Sequence, residues 1–484
     1  MIHSTIRAAL LTILTAAALA GCAAAGSGSG SAYADLSDGS LGFATRIRAI
    51  ERSRAEVDEG SLDRGAWRES VKKIAWGAAN YEKLRLAAID ALMADDEADT
   101  RSMLRLMLPR EPQWPVIDRI CTLAAEKGWT EFTPALVRSW SRPVVQPADP
   151  DRPERAALLA LHPGREVEAT VFEVFANPSD DKLFGDKARE EAWALLCRLD
   201  PTGAKAAGYL AAMGDSNDPL LADLRAGARD LRAAPTTPEQ LQWLRDLRKP
   251  EHASWWAEAA SAVGRLGPEQ MAGFELRHVA GVLWAAQHEP GWATASRADL
   301  LAELRAALEG RRTKQRVAEA VDGNPPPRER LSDNLSKLVW GDALLILIAD
   351  RSIADPAVVA ALHEQADKDR EDISTEYGGV LDGGARGFVA LSYPPRPSQR
   401  VADNRFVASP ELLGAGAAAL FHYHFHARKA DESEYAGPGP GDLEYARRFG
   451  RSCLVFTSLN KDTLNADYYQ PNGAVVDLGE VRRP

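Results

Sequence analysis

The sequence pattern changes from helix-like to strand-like near residue 341, and that change limits the fold more than any other feature. Between residues 43 and 325, amphipathic segments of about 10 to 18 residues alternate with Pro, Gly and Asp/Asn turns, a pattern typical of helices. Beyond residue 341, short apolar runs bounded by Gly and Pro indicate strands. All 12 tryptophans lie at or before Trp340, whereas 7 of the 10 tyrosines follow it. We therefore predict a multidomain chain with a hinge at GNPPPRER, residues 323–330.

The helical period is clearest in YEKLRLAAIDALMADD, residues 81–96. Leu84, Ala88 and Leu92 fall on one face of this segment, and most of its charged residues lie elsewhere. Its core, LRLAAIDAL, resembles the second helix of a HEAT repeat, which implies stacked helix pairs. The chain shows no fixed repeat period, so an irregular bundle is the alternative. For residues 43–325 we predict an all-α domain, either a HEAT-like solenoid or an irregular helical bundle.

The C-terminal part, residues 331–484, mixes strand and helix patterns. EYGGVLD and GFVALSYPP indicate a hairpin, and further strands are predicted in NRFVAS, ALFHYHFHA, SCLVFTSL, LNADYYQP and AVVDLGEV. Helices are predicted in PELLGAGAAA and in GDLEYARRFG, the second beginning at Asp442, and Asn472-Gly473 indicates a turn. Together these segments predict an α/β domain with a mixed sheet.

Residues 1–22 have the pattern of a targeting segment. Arg7 supplies a positive charge, residues 8–20 are apolar, and small residues lead up to Cys22. Leu-Ala-Gly-Cys22 resembles the lipobox of bacterial lipoproteins, which implies cleavage before Cys22, a lipid on its sulfur and a membrane anchor in the cell envelope. An ordinary signal peptide, which would release a soluble secreted protein, is the alternative. Residues 23–42 are small and polar, and they predict a flexible linker.

The charge balance narrows the range of partners. The formal net charge is -11, and the sequence shows no concentration of Lys and Arg of the kind that phosphate binding needs. Binding to nucleic acid requires a basic surface, so nucleic acid is not an expected partner. The expected partners are a protein or peptide, together with the membrane that holds the lipid anchor.

Three of the nine histidines lie in FHYHFH, residues 421–426. On a strand, His422, His424 and His426 share one face, and the aromatic residues between them occupy the other. Two such histidines are about 6.6 Å apart at Cα and can bind one ion. Zinc accepts imidazole nitrogen and carboxylate oxygen, so Asp442 is the expected third ligand. A nearby carboxylate would then act as the base for a zinc-bound water.

Three motifs, taken in order, resemble the JAB/MPN domain of JAMM metallopeptidases. Glu376-Tyr-Gly-Gly-Val-Leu381 matches Glu-x-x-Gly-x-Leu, His424-Phe-His426 matches His-x-His, and Gly439-Pro-Gly-Asp442 stands in place of Ser-x-x-Asp. The resemblance covers roughly residues 350–480, and the predicted order of helices and strands agrees with it. It implies that Glu376 activates a zinc-bound water. It also implies that His424, His426 and Asp442 bind the zinc, and that a peptide or isopeptide bond is cleaved.

Two departures from the family pattern favour a second hypothesis. Gly439 replaces the family serine, and the loop between His426 and Gly439 is longer than usual in the family. Losing one oxyanion donor typically costs about 100- to 1000-fold in rate, although Ser433 or a backbone N–H is a candidate substitute. The alternative function is therefore a catalytically weak or inactive adaptor lipoprotein that binds proteins through its helical repeats and MPN-like fold. A structural lipoprotein of the envelope is a third hypothesis.

Each candidate residue also has a structural interpretation. The histidines would then form a polar strand face, Glu376 an exposed carboxylate at a strand end, and Asp442 a helix N-cap. His422 would be a residue behind the metal ligands, a surface residue or a third histidine ligand. The decisive question is whether the side chains of Glu376, His424, His426 and Asp442 meet in space.

Overall fold

The computed structural model describes residues 31–177, 185–317, 326–384, 387–400 and 406–484. It has a helical N-terminal region and a C-terminal domain built on a six-stranded mixed sheet. The predicted signal peptide with Cys22, residues 23–30 of the predicted linker and residues 323–325 of the predicted hinge lie outside the described residues. Within the described part of the chain, no helix combines the length and apolar character needed to cross a membrane.

Contacts divide the chain into two compact units, one ending at Leu195 and the other running from Leu196 to Pro484. The division falls inside the helix Gly185–Leu199, well before the change in composition near residue 341. Helices between these two points belong to the second unit because they bond to its sheet domain. For example, Trp243 donates its indole N–H to the carbonyl oxygen of Ala417 at 2.7 Å.

The first unit is helical. Its helices α1 to α9 are Ala32–Ser37, Phe43–Asp58, Arg64–Trp76, Glu82–Asp95, Glu97–Met107, Trp114–Lys127, Thr133–Ser141, Pro153–Leu161 and Val167–Ala176. Helix α3 packs against α4, and α6 packs against α8. In α4, the predicted apolar face of Leu84, Ala88 and Leu92 is buried, as the helical period requires.

The second half of the predicted linker, residues 31–42, is folded rather than flexible. Ser31 caps α1, and its hydroxyl oxygen accepts the N–H of Ala34. Leu36 is fully buried, and its carbonyl oxygen accepts a hydrogen bond of 2.8 Å from Arg46. Asp35 forms an ion pair of 2.9 Å with Arg52. The small and polar composition of this segment hid three apolar residues, Ala32, Leu36 and Leu41, that are buried in the structure.

Helix α10, Gly185–Leu199, contains the division, and the remaining helices lie in the second unit. Helices α11 to α23 are Ala204–Ala212, Pro219–Asp230, Pro238–Leu247, Ala253–Gly264, Pro268–Met271, Val279–His288, Pro290–Thr294, Arg297–Leu308, Leu331–Asn334, Trp340–Ile353, Pro356–Glu371, Pro410–Ala415 and Pro440–Phe449. Every residue of α20 is buried except Asp350 and Arg351. A helix that is apolar on every side belongs in a protein interior, so α20 is the central helix of this unit.

Asp342 of α20 joins the helices to the sheet. Its fully buried carboxylate lies 2.5 Å from the guanidinium of Arg277 and 2.9 Å from His278. The side-chain amide of Gln470 donates to the same carboxylate at 3.1 Å, and Gln470 follows the fifth strand. Burial favours the neutral acid, but the charge of Arg277 and the bond to His278 outweigh it and hold the pKa of Asp342 well below its usual range.

The strands β1 to β6 are Gly378–Gly384, Gly387–Ser392, Phe421–His426, Cys453–Asn460, Thr463–Tyr469 and Val475–Arg482, and their order in the sheet is β2-β1-β3-β4-β5-β6. Only β3 and β4 run parallel; the other neighbours are antiparallel, as a mixed sheet requires. The strand predicted in NRFVAS is wrong for the described residues 406–409, because Ser409 instead caps α22 with its hydroxyl oxygen. Strand β3 is therefore an interior strand, paired on both sides.

We expect Gly379→Ala to destabilise the sheet by about 1–3 kcal/mol, because overpacking a close contact forces the backbone to shift. A Cβ at this position would lie 2.0 Å from the carbonyl oxygen of Leu391 on β2. The matched control is Gly384→Ala on the same strand, where a Cβ would meet nothing within 4 Å. Urea denaturation would measure the difference, and an equal loss of stability in both variants would contradict the packing argument.

Candidate metal centre

Strand β3 presents three histidines on one face, as the sequence predicts. It is paired with β1 on one side and with β4 on the other, so its backbone is fixed by two ladders. His424 is 1% exposed, and the aromatic residues Tyr423 and Phe425 are buried on the opposite face. Tyr423 donates its hydroxyl to Gln365 of α21 at 2.5 Å. Aromatic packing on one face thus fixes where the imidazoles of the other face lie.

Asp442 lies in the first turn of α23. The helix begins at Pro440, two residues before the predicted start, and Gly439 is its N-cap residue. Oδ2 of Asp442 accepts the backbone N–H of Gly439 at 2.7 Å. Asp442 therefore stabilises the helix N-terminus, as an acidic residue in this turn does. That bond also orients its carboxylate towards β3.

The side chains of His424, His426 and Asp442 converge, and we call them the histidine cluster. Nε2 of His424 lies 3.2 Å from Oδ1 of Asp442, and Nε2 of His426 lies 3.4 Å from Oδ2. The two Nε2 atoms are 3.3 Å apart. One ligand atom from each residue lies within 4.8 Å of the others. Two nitrogen donors and one carboxylate thus face a common point.

Electrostatics couple the members of the histidine cluster. Burial favours the neutral form of Asp442, but the charge of His424 and the bonds to both histidines hold its pKa well below the usual range. Burial opposes the charged form of His426, but Asp442 and the charge of Glu376 raise its pKa. Asp442 is therefore a carboxylate near neutral pH, and it faces the two imidazoles as a negatively charged donor.

The outer nitrogens of both imidazoles also have partners. Nδ1 of His426 lies 3.1 Å from the carbonyl oxygen of Tyr435, and Nδ1 of His424 lies 3.4 Å from the hydroxyl of Tyr469. Phe406 stacks on His424 with ring centroids 5.3 Å apart. Such contacts behind a ligand fix the tautomer and the orientation of its ring. Both Nε2 atoms are thereby left to face Asp442.

Glu376 lies beside His426. The β1–β3 register pairs Gly378 with His424, and it continues past the strand end, where the N–H of Phe425 donates to the carbonyl oxygen of Tyr377 at 3.0 Å. One further step places Glu376 opposite His426, and opposite residues project from the same face. Glu376 is only 8% exposed, and it lines the same cavity as His426. The interpretation of Glu376 as an exposed strand-end carboxylate is therefore wrong.

His422 does not join the histidine cluster, although it shares the strand face. Its Nδ1 lies 2.8 Å from the hydroxyl of Tyr445 in α23. Its Nε2 faces Gly416, where a Cβ would approach to 2.3 Å. Burial holds the pKa of His422 well below the usual range, so its imidazole is neutral. It supports α23 against the sheet.

A cavity of about 760 Å³ opens beside the histidine cluster. Glu376, His426 and Asp442 line it, together with Arg316, Phe406 and Tyr469, which the sequence analysis missed. Arg316 is held at the cavity by a hydrogen bond to the carbonyl oxygen of Tyr435, which lies 119 residues further along the chain. A contact between residues so far apart leaves no local pattern in the sequence. For Tyr469 a signal existed, because strand alternation places it on one face with the polar residues of LNADYYQP.

Arg316 lies beside Gly439, the residue that stands where the resembling motif has a serine. A Cβ on Gly439 would lie 3.5 and 3.6 Å from the two terminal nitrogens of Arg316, and 3.6 Å from Oδ2 of Asp442. Nη1 of Arg316 donates to the carbonyl oxygens of Tyr435 and Gly437. Ser433, the predicted substitute for the missing hydroxyl, instead bonds to Asp431. The position next to Gly439 therefore holds a positive charge.

Comparisons with known proteins identify no relative of this chain. No protein-family model, no curated protein and no solved structure matches it.

We expect His424→Ala and His426→Ala each to lower the affinity of the protein for zinc by more than about 100-fold, since even the partners behind metal ligands contribute about 10- to 100-fold. His422→Asn is the matched control, because it removes a histidine of the same strand but leaves the histidine cluster intact. Competition with a chromophoric chelator would measure the affinities. Affinities of His424→Ala and His426→Ala that equal the affinity of the native chain would exclude a metal site at the histidine cluster.

Proposed function

We propose that this chain is an exported, membrane-tethered zinc hydrolase of the JAMM type that cleaves peptide or isopeptide bonds. The observation that carries the proposal is the convergence of His424, His426 and Asp442 on one wall of a cavity that Glu376 also lines. In this proposal the C-terminal domain is a JAB/MPN-like fold. The helical region is HEAT-like and positions a protein or peptide partner.

The spacing of the histidine cluster supports zinc as the metal. Bonds of about 2.0–2.1 Å in a tetrahedral zinc site separate neighbouring donors by about 3.3–3.4 Å. The two Nε2 atoms are 3.3 Å apart, and those of His424 and His426 lie 3.2 Å from Oδ1 and 3.4 Å from Oδ2 of Asp442, so each imidazole meets one carboxylate oxygen at this separation. Three protein ligands leave a fourth position for water, as in catalytic rather than structural zinc sites. When bound, zinc supplies a Lewis acid that polarises a carbonyl and acidifies water.

Glu376 would accept the proton of the attacking water and later deliver it to the leaving amine. A general base must lie within hydrogen-bond reach of that water, directly or through one other water. The position of Glu376 across from His426, and its effect on the pKa of His426, support this role. Its burial at the cavity wall reduces competition from bulk solvent.

Arg316 would stabilise the oxyanion that the family stabilises with a serine. A preorganised positive group beside the reacting carbonyl contributes to the rate because it faces the charge that develops there. The guanidinium of Arg316 is held by two carbonyl oxygens, and Nη2 is left without a hydrogen bond among the described residues. Its stacking over Tyr435, at 5.5 Å from the ring centroid, further limits its motion.

The cellular location in this proposal depends on the N-terminus. The resemblance of residues 19–22 to a lipobox supports a lipid on Cys22 and anchoring to a membrane of the bacterial envelope. Residues 23–30, which are mostly Ala, Gly and Ser, would separate the folded units from the membrane. Mass spectrometry of the processed N-terminal peptide would test this part of the proposal.

The second candidate function is an adaptor that binds a protein without cleaving it. Gly439 is the observation that favours it, because the hydroxyl of the family serine is absent. The adaptor and the hydrolase differ in turnover. Zinc-loaded protein that binds a partner and releases no new N-termini would support the adaptor.

We expect Glu376→Gln to retain zinc but lose at least about 100-fold in the hydrolysis rate, because the amide cannot accept the proton. The assay uses a peptide pool from a denatured protein, with mass spectrometry to detect new N-termini. Glu434→Gln, in the loop near the cavity, is the charge-matched control. Turnover that survives Glu376→Gln unchanged would contradict the assignment of the base.

A double-mutant cycle would test the role of Arg316. Gly439→Ser should fold normally, since its backbone φ of -83° suits serine and a Cβ meets only ordinary contacts. Arg316→Ala should lower kcat/KM by about 10- to 1000-fold in the native chain and by less in the Gly439→Ser chain, because the new hydroxyl replaces one donor. Arg312→Ala, in the same segment, is the control. Equal losses in both backgrounds would mean that the two groups act independently.

A further inference from the structure

A second group of buried carboxylates lies on the sheet, apart from the histidine cluster. Asp467 of β5 pairs directly with Asp477 of β6 beside a bulge, and the N–H of Asp477 donates to the carbonyl oxygen of Glu329 at 2.8 Å. One ligand atom from each of these residues lies within 4.8 Å of the others. Glu329, Asp467 and Asp477 are 1%, 0% and 6% exposed. We call these three residues the carboxylate cluster.

Five buried oxygen atoms in or beside the carboxylate cluster have no hydrogen-bond partner in the described structure. They are both carboxylate oxygens of Glu329, Oδ1 of Asp467, Oδ1 of Asn465 and Oγ1 of Thr457. Asn465 and Thr457 are neutral, fully buried and opposite each other in the β4–β5 ladder. Buried polar atoms almost always have a hydrogen-bond partner or another ligand, so five unpartnered oxygen atoms in one place indicate a binding site for a ligand that oxygen atoms coordinate.

The protein does not neutralise these carboxylates with basic side chains. Among the described residues, no Lys or Arg side chain forms an ion pair with any of the three. Asp477 accepts the backbone N–H groups of Lys314 at 2.8 Å and Gly479 at 2.7 Å. Asn465 donates its amide to Asp467 at 2.8 Å and to Asp477 at 3.2 Å. Three buried carboxylates that form no ion pair are costly unless they bind protons or a cation.

Protons are the competing ligand. Burial and the charge of Asp477 raise the pKa of Glu329 to about 8, against the smaller effects of the backbone and charge of Arg316. Burial also raises the pKa of Asp477 to about 6. A cation that binds these carboxylates would displace the protons from Glu329 and Asp477.

The donors favour calcium over other cations. All are carboxylate, amide or hydroxyl oxygens, which hard cations prefer, and neither imidazole nor thiolate belongs to the group. Magnesium keeps several of its waters, whereas calcium accepts six to eight oxygen ligands in flexible geometry. A buried cluster that offers both oxygens of Glu329 therefore suits calcium better. A separate cavity of about 930 Å³ reaches Glu329 and Asp477 and supplies a route for the ion.

We propose that Glu329, Asp467 and Asp477 bind one calcium ion, with Asn465 as a further oxygen donor. This site is independent of the histidine cluster and of the proposed hydrolase activity, because it uses none of the same residues. Its role is to hold residues around Lys314 and Glu329 against β5 and β6.

The test is calorimetric titration of the chelator-treated full chain with calcium, in a His424→Ala, His426→Ala background that lacks the histidine cluster. We expect one saturable site with a dissociation constant below about 1 mM and weaker binding of magnesium. Asp467→Asn and Glu329→Gln should each lower the calcium affinity at least tenfold. Asp462→Asn, an exposed carboxylate in the β4–β5 turn, should leave it unchanged.

Thermal unfolding supplies a second readout that does not depend on the variants folding equally well. Calcium at saturation should raise the Tm of the native chain and leave the Tm of Asp467→Asn unchanged. Without calcium, Asp467→Asn should melt no lower than the native chain, because the neutral amide avoids the cost of a buried acid that has no basic partner. A native chain that shows neither saturable calcium binding nor a calcium-dependent Tm would overturn the proposal. Calcium binding that persists equally in Asp467→Asn and Glu329→Gln would also overturn it.

Discussion

The pairing of β3 on both of its edges is the constraint on which the candidate metal centre depends. A strand held by two ladders cannot slide or turn, so the pleat alone decides which side chains face the helix α23. Aromatic side chains bury one face, and His422, His424 and His426 occupy the other. Because the backbone is fixed before any ligand arrives, the two imidazoles that meet Asp442 are preorganised. A metal site built on a loop would lack this rigidity.

The sheet carries two ionisable clusters of different chemistry on a single face. His424 pairs with Val455, Val455 with Asp467, and Asp467 with Asp477, so these four residues cross the sheet along one row. The histidine cluster offers nitrogen and oxygen donors beside a large cavity, whereas the carboxylate cluster offers oxygen alone. This difference in donors would let the two sites select different ions, because softer and harder cations prefer different ligands.

Local patterns predicted much of this structure. Period two placed the histidines on one face, and Asn472-Gly473 marked the β5–β6 turn, where Gly473 has a φ of 75°. Packing between distant segments could not be predicted from local patterns. Helix α20 is buried on almost every side, and Asp342 bonds to both Arg277 and Gln470, which are far from it in the sequence. Composition alone also misjudged residues 31–42, where the buried side chains of Ala32, Leu36 and Leu41 hold the segment to the helices. The carboxylate cluster went unnoticed because its members are far apart in the sequence and follow no motif.

The stretch from Arg311 to Val317 connects both clusters without belonging to a helix or strand. Arg311 bonds to the carbonyl oxygen of Leu478, Lys314 to Asp477, and Arg316 to Gly437. In extended chain each residue advances by about 3.3 Å, and neighbouring side chains point to opposite sides. Adding or deleting a single residue between Lys314 and Arg316 would turn the guanidinium away from Gly439. The length of this stretch, and not only its side chains, therefore determines whether both clusters keep their contacts.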